Sequence, residues 1–282
     1  MRSVTVTVGP LVAASANNIA TSQTMPTGGG TVALNGTLAS STFVGTGSIA
    51  SNVLTISAVT SGYLNRGFLL NGLGVKALTQ VSGPLSTTTN QAGTYVVNVA
   101  QTVSSTTIYG KTTVTLDTPR RIGITSAGND SGMTFTLTGL DWAGTSISET
   151  VTGANVGVAS SVLDYSVLYS IVASAATAST ITVGTTSVAA SAWVRFDEYT
   201  TAPVGAQFEV TGTVNYTLQM TYRTVDANRA GVVWDSSGSS VVGATANATI
   251  GLATTPLWAN VLLNSGSGSV TATFMQYGVA PY

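Results

Sequence analysis

Between residues 208 and 222 the chain alternates with a period of two. Phe208, Val210, Val214, Tyr216, Leu218, Met220 and Tyr222 share one parity; Glu209, Thr211, Thr213, Asn215, Thr217, Gln219 and Thr221 share the other. Successive side chains of an extended strand point to opposite faces, so this pattern predicts a strand with one buried and one polar face. Gly212 interrupts the apolar parity and predicts a bulge or bend. Shorter runs of the same kind fall at 4–8, 53–59, 95–99, 112–116, 133–138, 147–151, 181–183 and 270–275. Turn-forming clusters separate them: Gly128-Asn129-Asp130, Ala143-Gly144, Gly153-Ala154-Asn155 and Asn264-Ser265-Gly266. Residues 161–176 allow a turn or two of helix. Residues 2–16 have the outline of a secretion leader, but Val4, Val6 and Val8 alternate with Thr5 and Thr7, which is strand period. The expected class is all-β, with β-sandwich or jelly-roll-like domains and an inserted small β module.

Charge is scarce. The chain has nine basic and ten acidic residues among 282, a net charge of −1, no His and no Cys. Ordinary domains carry roughly 25% charged residues, against 7% here. A neutral surface without clustered Lys or Arg argues against nucleic acid, which needs cations to displace counterions. A chain so poorly charged is expected to have much of its surface covered by other subunits. Without Cys there is no disulfide, thiol nucleophile or zinc–thiolate site. The longest apolar stretch, 162–194, is interrupted by Asp164 and many Ser and Thr, so no segment reads as membrane-spanning.

The side chains that carry catalysis are mostly missing. A Ser or Thr nucleophile needs a base, and without His that leaves carboxylates or the two lysines, Lys76 and Lys111, neither in a Ser-x-x-Lys spacing. Asp197-Glu198 is the adjacent acidic pair, but on a strand its side chains diverge and do not flank one glycosidic bond. Asn129-Asp130-Ser131, with Asp226 and Asn228 next, has the oxygen ligands of a cation loop without a second nearby carboxylate, and reads better as an Asx turn. No catalytic residue, metal or cofactor is expected.

Three stretches resemble parts of tailed-bacteriophage virion proteins. One runs from Pro119-Arg120-Arg121-Ile122 through 124–155; the second is FEVTGTVNYTLQMTY at 208–222 with its echo NSGSGSVTATFMQYG at 264–278; the third lies within 45–110. The third is similar to a small β module found across many phage structural proteins. The resemblance implies a virion structural protein of the head-decoration, cement or head-fibre type and brings no catalytic residues. It also divides the chain into a β-sandwich domain of 1–44 plus 111–190, an inserted module of 45–110 opening at Gly45-Thr46-Gly47-Ser48, and a C-terminal sandwich of 191–282.

The expected function is therefore non-enzymatic: a capsid cement or decoration protein on the exterior of the phage head, assembled in the host cytoplasm. Its partners would be the major capsid protein and further copies of itself as a homodimer or homotrimer, with no nucleic acid and no membrane. The alternative is a tail or neck component, such as a fibre base or a tail-tube-associated protein. A receptor-binding or glycan-degrading protein would need an aromatic or carboxylate cluster. Candidate interface residues are Val4, Val6 and Val8 on an N-terminal strand free to pair with another subunit, the Arg120-Arg121 pair, Trp142 and Trp258 among the four tryptophans, Arg223 and Arg229 in a second charge cluster, and Tyr282 in the tail. The competing reading of Arg120 and Arg121 is that their stems cover the end of a sandwich. An N-terminal arm of this kind is expected to be removable without unfolding the C-terminal domain.

Overall fold

The computed structural model describes residues 2–87, 91–197, 203–223, 234–236, 241–252 and 254–276. These form strands, numbered β1 to β18 along the chain, with no α-helix among the described residues. The longest is β7, Gly93–Asn129, of 37 residues; next is β4, Ala39–Gly62, of 24. They pair antiparallel from Ala39↔Val114 to Ile56↔Gly93, with two register shifts. The segments expected to open and close an inserted unit lie inside this ladder, where Gly45 faces Ile108 and Gly47 faces Thr106. The module is thus an extension of two strands of its neighbour. Gly45 and Gly47 mark a close backbone approach rather than a linker: a Cβ on them would meet Ala58 O at 2.7 Å and Thr55 O at 2.6 Å.

The module packs Phe43, Ile49, Leu54, Ile56, Val75, Tyr95, Val97 and Ile108 into its own core. Its short strands β5 (Leu70–Asn71) and β6 (Val81–Thr87) both pair with β7. Further along, β7 enters a second core, built with β2 (Ser15–Gln23), β3 (Gly30–Thr31), β8 (Thr134–Leu140), β9 (Ser146–Thr152), β10 (Asn155–Ser160), β11 (Tyr165–Ala173) and β12 (Ile181–Ala190). There β7 pairs with β10, β11 and β12. The helical turn allowed for 161–176 is absent; β11 occupies most of it and buries Tyr165, Leu168, Ile171 and Ala173. Its Val, Ile and Tyr suit a pleated, half-buried surface.

The third core is a two-sheet sandwich. One sheet has the order β1 (Arg2–Val8), β18 (Ser269–Gln276), β14 (Val204–Thr211), β16 (Ala248–Leu252). The other contains β15 (Val214–Thr221), β17 (Trp258–Gly266) and β13 (Val194–Arg195), and joins the large sheet through Ala189↔Leu263 and Ala190↔Leu262. The alternating run at 208–222 is therefore two strands in different sheets. It turns at Gly212, whose φ is 77°, and the echo turns beside it at Gly268. A Cβ on Gly212 would lie 3.2 Å from Gly268 Cα, and one on Gly268 would lie 2.2 Å from Thr211 O. Parity survives the corner because both faces close on one core, where the Phe208 and Tyr216 rings sit 5.5 Å apart.

Two interface expectations change here. The N-terminal strand is not a free arm of the first domain. All seven residues of β1 pair with β18, from Arg2↔Gln276 to Val8↔Val270, and Thr5 and Thr7 share hydroxyl hydrogen bonds with Thr273 and Thr271 at 3.1 and 3.0 Å. Val8 is buried in the third core, with Val4 and Val6 packed against it. Removing residues 1–10 would take a strand out of the C-terminal sandwich. In the tail, Phe274 is buried in the same core, whereas Tyr282 lies outside the described residues.

Arg120 is the other correction. Its side chain is 1% exposed and paired with Asp117 at 3.0 Å. Nη1 also donates to Val12 O at 2.8 Å, Nε and Nη2 donate to Thr186 O, and Asp117 Oδ2 accepts the Val12 N–H at 2.8 Å. With its donors spent inside the chain, Arg120 ties β7 to β12 and to the segment before β2, and is not a partner contact. Arg120→Met leaves Asp117 and two carbonyls without their donor. It is expected to cost about 3–5 kcal/mol in urea unfolding, and a cost below about 1 kcal/mol would show that the pair is not structural.

Candidate functional site

All four tryptophans converge where the first and third cores meet. Trp142 follows Asp141 in the β8–β9 turn, which Asp141 Oδ1 holds by accepting the N–H groups of Ala143 and Thr145 at 2.8 and 2.9 Å. Trp193 lies between β12 and β13, and Trp258 opens β17. Trp193 is the hub: its ring centroid is 4.9 Å from Trp234, 6.0 Å from Trp142 and 6.1 Å from Trp258. Arg195 sits over Trp258 at 5.8 Å, a cation–π contact. All four indoles are half-buried. Trp142, Trp193 and Trp234 border a cavity of about 270 Å³ that is also lined by Pro119, Arg121, Asp141, Leu163, Asp164, Ser191 and Gln219.

One wall of this cavity is ionic. Arg121 Nε stands 3.7 Å from Asp164 Oδ1. Behind the pair, Glu149 Oε2 accepts the Val162 N–H at 3.0 Å and Oε1 the Leu163 N–H at 3.3 Å. Burial pushes the Asp164 carboxyl up to about 7; Arg121 opposes this and the Glu149 charge adds to it. Burial also raises Glu149, against the two N–H groups, Tyr165 and Arg121. A carboxyl raised on folding binds a proton more tightly in the folded chain than in the unfolded one. Its destabilising effect is absent below the ordinary carboxylate range, grows as pH rises from about 4 toward 7, and is constant above that. Asp164→Asn is therefore expected to flatten the fall in melting temperature over this window and to raise stability at pH 8. An unchanged pH profile would contradict the placement of this carboxyl.

A second recess lies between the module and the first core. It encloses about 590 Å³ and is lined by Arg66, Phe68, Leu69, Leu78, Lys111 and Tyr169, among others. Leu78, Leu69 and Tyr169 are 76%, 48% and 38% exposed. Leu78 and Lys111 both hold left-handed backbone, with φ of 59° and 52°, a conformation that L-residues adopt only when their surroundings impose it.

Of the residues singled out in the sequence, Trp142, Trp258 and Arg121 come together, and with them Trp193 and Trp234. Arg223 is exposed just past β15. Its expected neighbours Asp226 and Arg229 lie outside the described residues, while Asp235 pairs through its backbone with Met220 at 2.7 and 2.8 Å. Asn129 forms an Asx turn, accepting the Ser131 N–H at 3.2 Å, and Asp130 Oδ1 accepts the Ala178 N–H at 2.7 Å. Sequence reasoning missed Asp164, Glu149, Leu78 and Tyr169, which are isolated in the chain and gain meaning only when strands remote in sequence meet. In comparisons with known proteins, no family model, no curated protein and no solved structure matches the chain.

Proposed function

We propose that this protein is a non-enzymatic structural component of a tailed-phage virion, a cement or decoration protein that binds the outside of the head and bridges neighbouring major capsid subunits. The observation that carries this reading is the β4–β7 ladder, which, through two register shifts, joins the module to the first core without a linker. A ladder of this length holds two packed bodies in fixed relation, as a part that spans and braces other subunits requires. The strand edges agree with assembly. The β1–β18–β14–β16 sheet ends in β1, whose sole charged residue is Arg2, and β16, which has none. Exposed edges are usually blunted by charge or Pro; leaving them plain suits pairing between copies in a symmetric homo-oligomer. The recess at Leu69, Leu78 and Tyr169, flanked by Arg66 and Lys111, fits an apolar ridge with acidic borders on the capsid subunit. Binding to the assembled lattice and not to free subunits would stabilise the shell by mass action.

Quantitative mass spectrometry of purified particles tests this reading. Hundreds of copies in a simple ratio to the major capsid protein are expected. Leu78→Asp should cut occupancy by about tenfold, as loss of a central contact does, without changing the melting temperature. A dozen copies or fewer would overturn the head assignment, and normal occupancy of Leu78→Asp would remove the recess from the contact.

A further inference from the structure

The tryptophan cluster borders a pocket that the proposed bracing role leaves unused. Trp193 packs against Trp234 and Trp142, with centroids 4.9 and 6.0 Å apart, within the range of direct aromatic contact. Their planes are inclined by 41° and 86°, so they form an angled apolar lining with the rings packed on one another, not the spaced box of an aromatic cage around a quaternary ammonium. Beside these rings stand Asp141, Asp164 and Arg121, so the lining offers acceptors and donors together. Arg121 Nε and Asp164 Oδ1 are shielded against each other. The exposure left to the two side chains, 27% and 20%, therefore belongs to their remaining atoms.

With a single guanidinium beside Asp141 and Asp164, the pocket has no excess of positive charge to hold an anion. A hydroxyl, which donates and accepts at once, suits both members of the ion pair. A molecule that carries several hydroxyls on one edge and a face of C–H groups for the indoles is a sugar ring. The cavity volume of about 270 Å³ lies just below the usual range of small-molecule sites and suits a single sugar ring with the rest of a chain outside. The walls come from two cores already joined by the β12–β17 pairing, so the site is formed before any ligand arrives.

We propose that this pocket binds a neutral saccharide, with a sugar ring stacked on one indole face of the Trp142–Trp193–Trp234 cluster and its hydroxyls paired with Arg121 and Asp164. The inference is independent of the virion reading: a saccharide site would serve a head, tail or free protein equally, and requires no bond to be made or broken.

The test is saturation-transfer NMR on the full chain with maltotriose, cellotriose and triacetylchitotriose at millimolar concentration, followed by titration of tryptophan fluorescence. At least one trisaccharide is expected to receive saturation and shift the emission. Trp142→Ala, whose indole sits on a surface turn, should weaken the binding by about tenfold, and Asp164→Asn, which keeps the shape but removes the charge, by several-fold. Far-ultraviolet circular dichroism confirms that each variant is folded. If Trp142→Ala does not fold, Asp164→Asn alone decides. No transfer to any of the three sugars would overturn the proposal, as would binding unchanged in a folded variant. Transfer to a proline-rich peptide in place of the sugars would overturn it in favour of a polypeptide ligand.

Discussion

The structure depends on one ladder. β7 pairs with β4, β5 and β6 in the module and with β10, β11 and β12 in the first core. Through β12 it reaches β17 and the C-terminal sandwich. Each of these pairings satisfies backbone groups that burial would otherwise leave costly. No boundary along β7 is therefore free to open without breaking strand pairs. Arg120 stands where β7 changes partner, opposite both Tyr165 and Ala189. Its buried guanidinium holds carbonyls that the irregular register leaves unpaired.

The shortage of charge and the abundance of Thr are two sides of one design. Outward positions that would carry Lys or Glu in most sandwiches carry Thr and Ser, which pair across strands. Thr5 with Thr273, Thr136 with Thr150 and Thr138 with Ser148 are examples. Such faces are polar without being repulsive, so they tolerate close approach of another subunit. Ionic groups also meet near the junction of the first and third cores: Asp117 with Arg120, and Arg121 with Asp164 and Glu149. That placement makes the buried carboxyls, rather than surface ion pairs, the source of pH sensitivity.

The all-β class was legible because period-two alternation is local. It was readable at 4–8 and 270–275, which lie within strands, and at 133–138, all of which but Met133 lies in β8. What the strands do with their edges was not. Gly212 signalled a bend, but a bend within a sheet and a corner between sheets have the same local signature. The Gly45-Thr46-Gly47 run looked like a boundary because glycine loosens a chain, yet here it admits a close backbone. β1 looked free because its partner is at the other end of the sequence. The tryptophans were each visible, but their convergence was not, since Trp142 meets Trp193 only after the two cores join. Leu78 and Asp164 had no sequence signal, because exposure and burial are properties of the assembled fold.

The central claim is that the module and the first core move as one body. Double electron–electron resonance measures this directly, since the chain has no native cysteine to interfere with labelling. Thr55 in the module and Thr150 on β9 are both exposed, and the double variant Thr55→Cys/Thr150→Cys places a spin label on each body. A single narrow distance distribution is the predicted result. A broad or two-peaked distribution would show a hinge near residues 45–48 and contradict the continuous ladder.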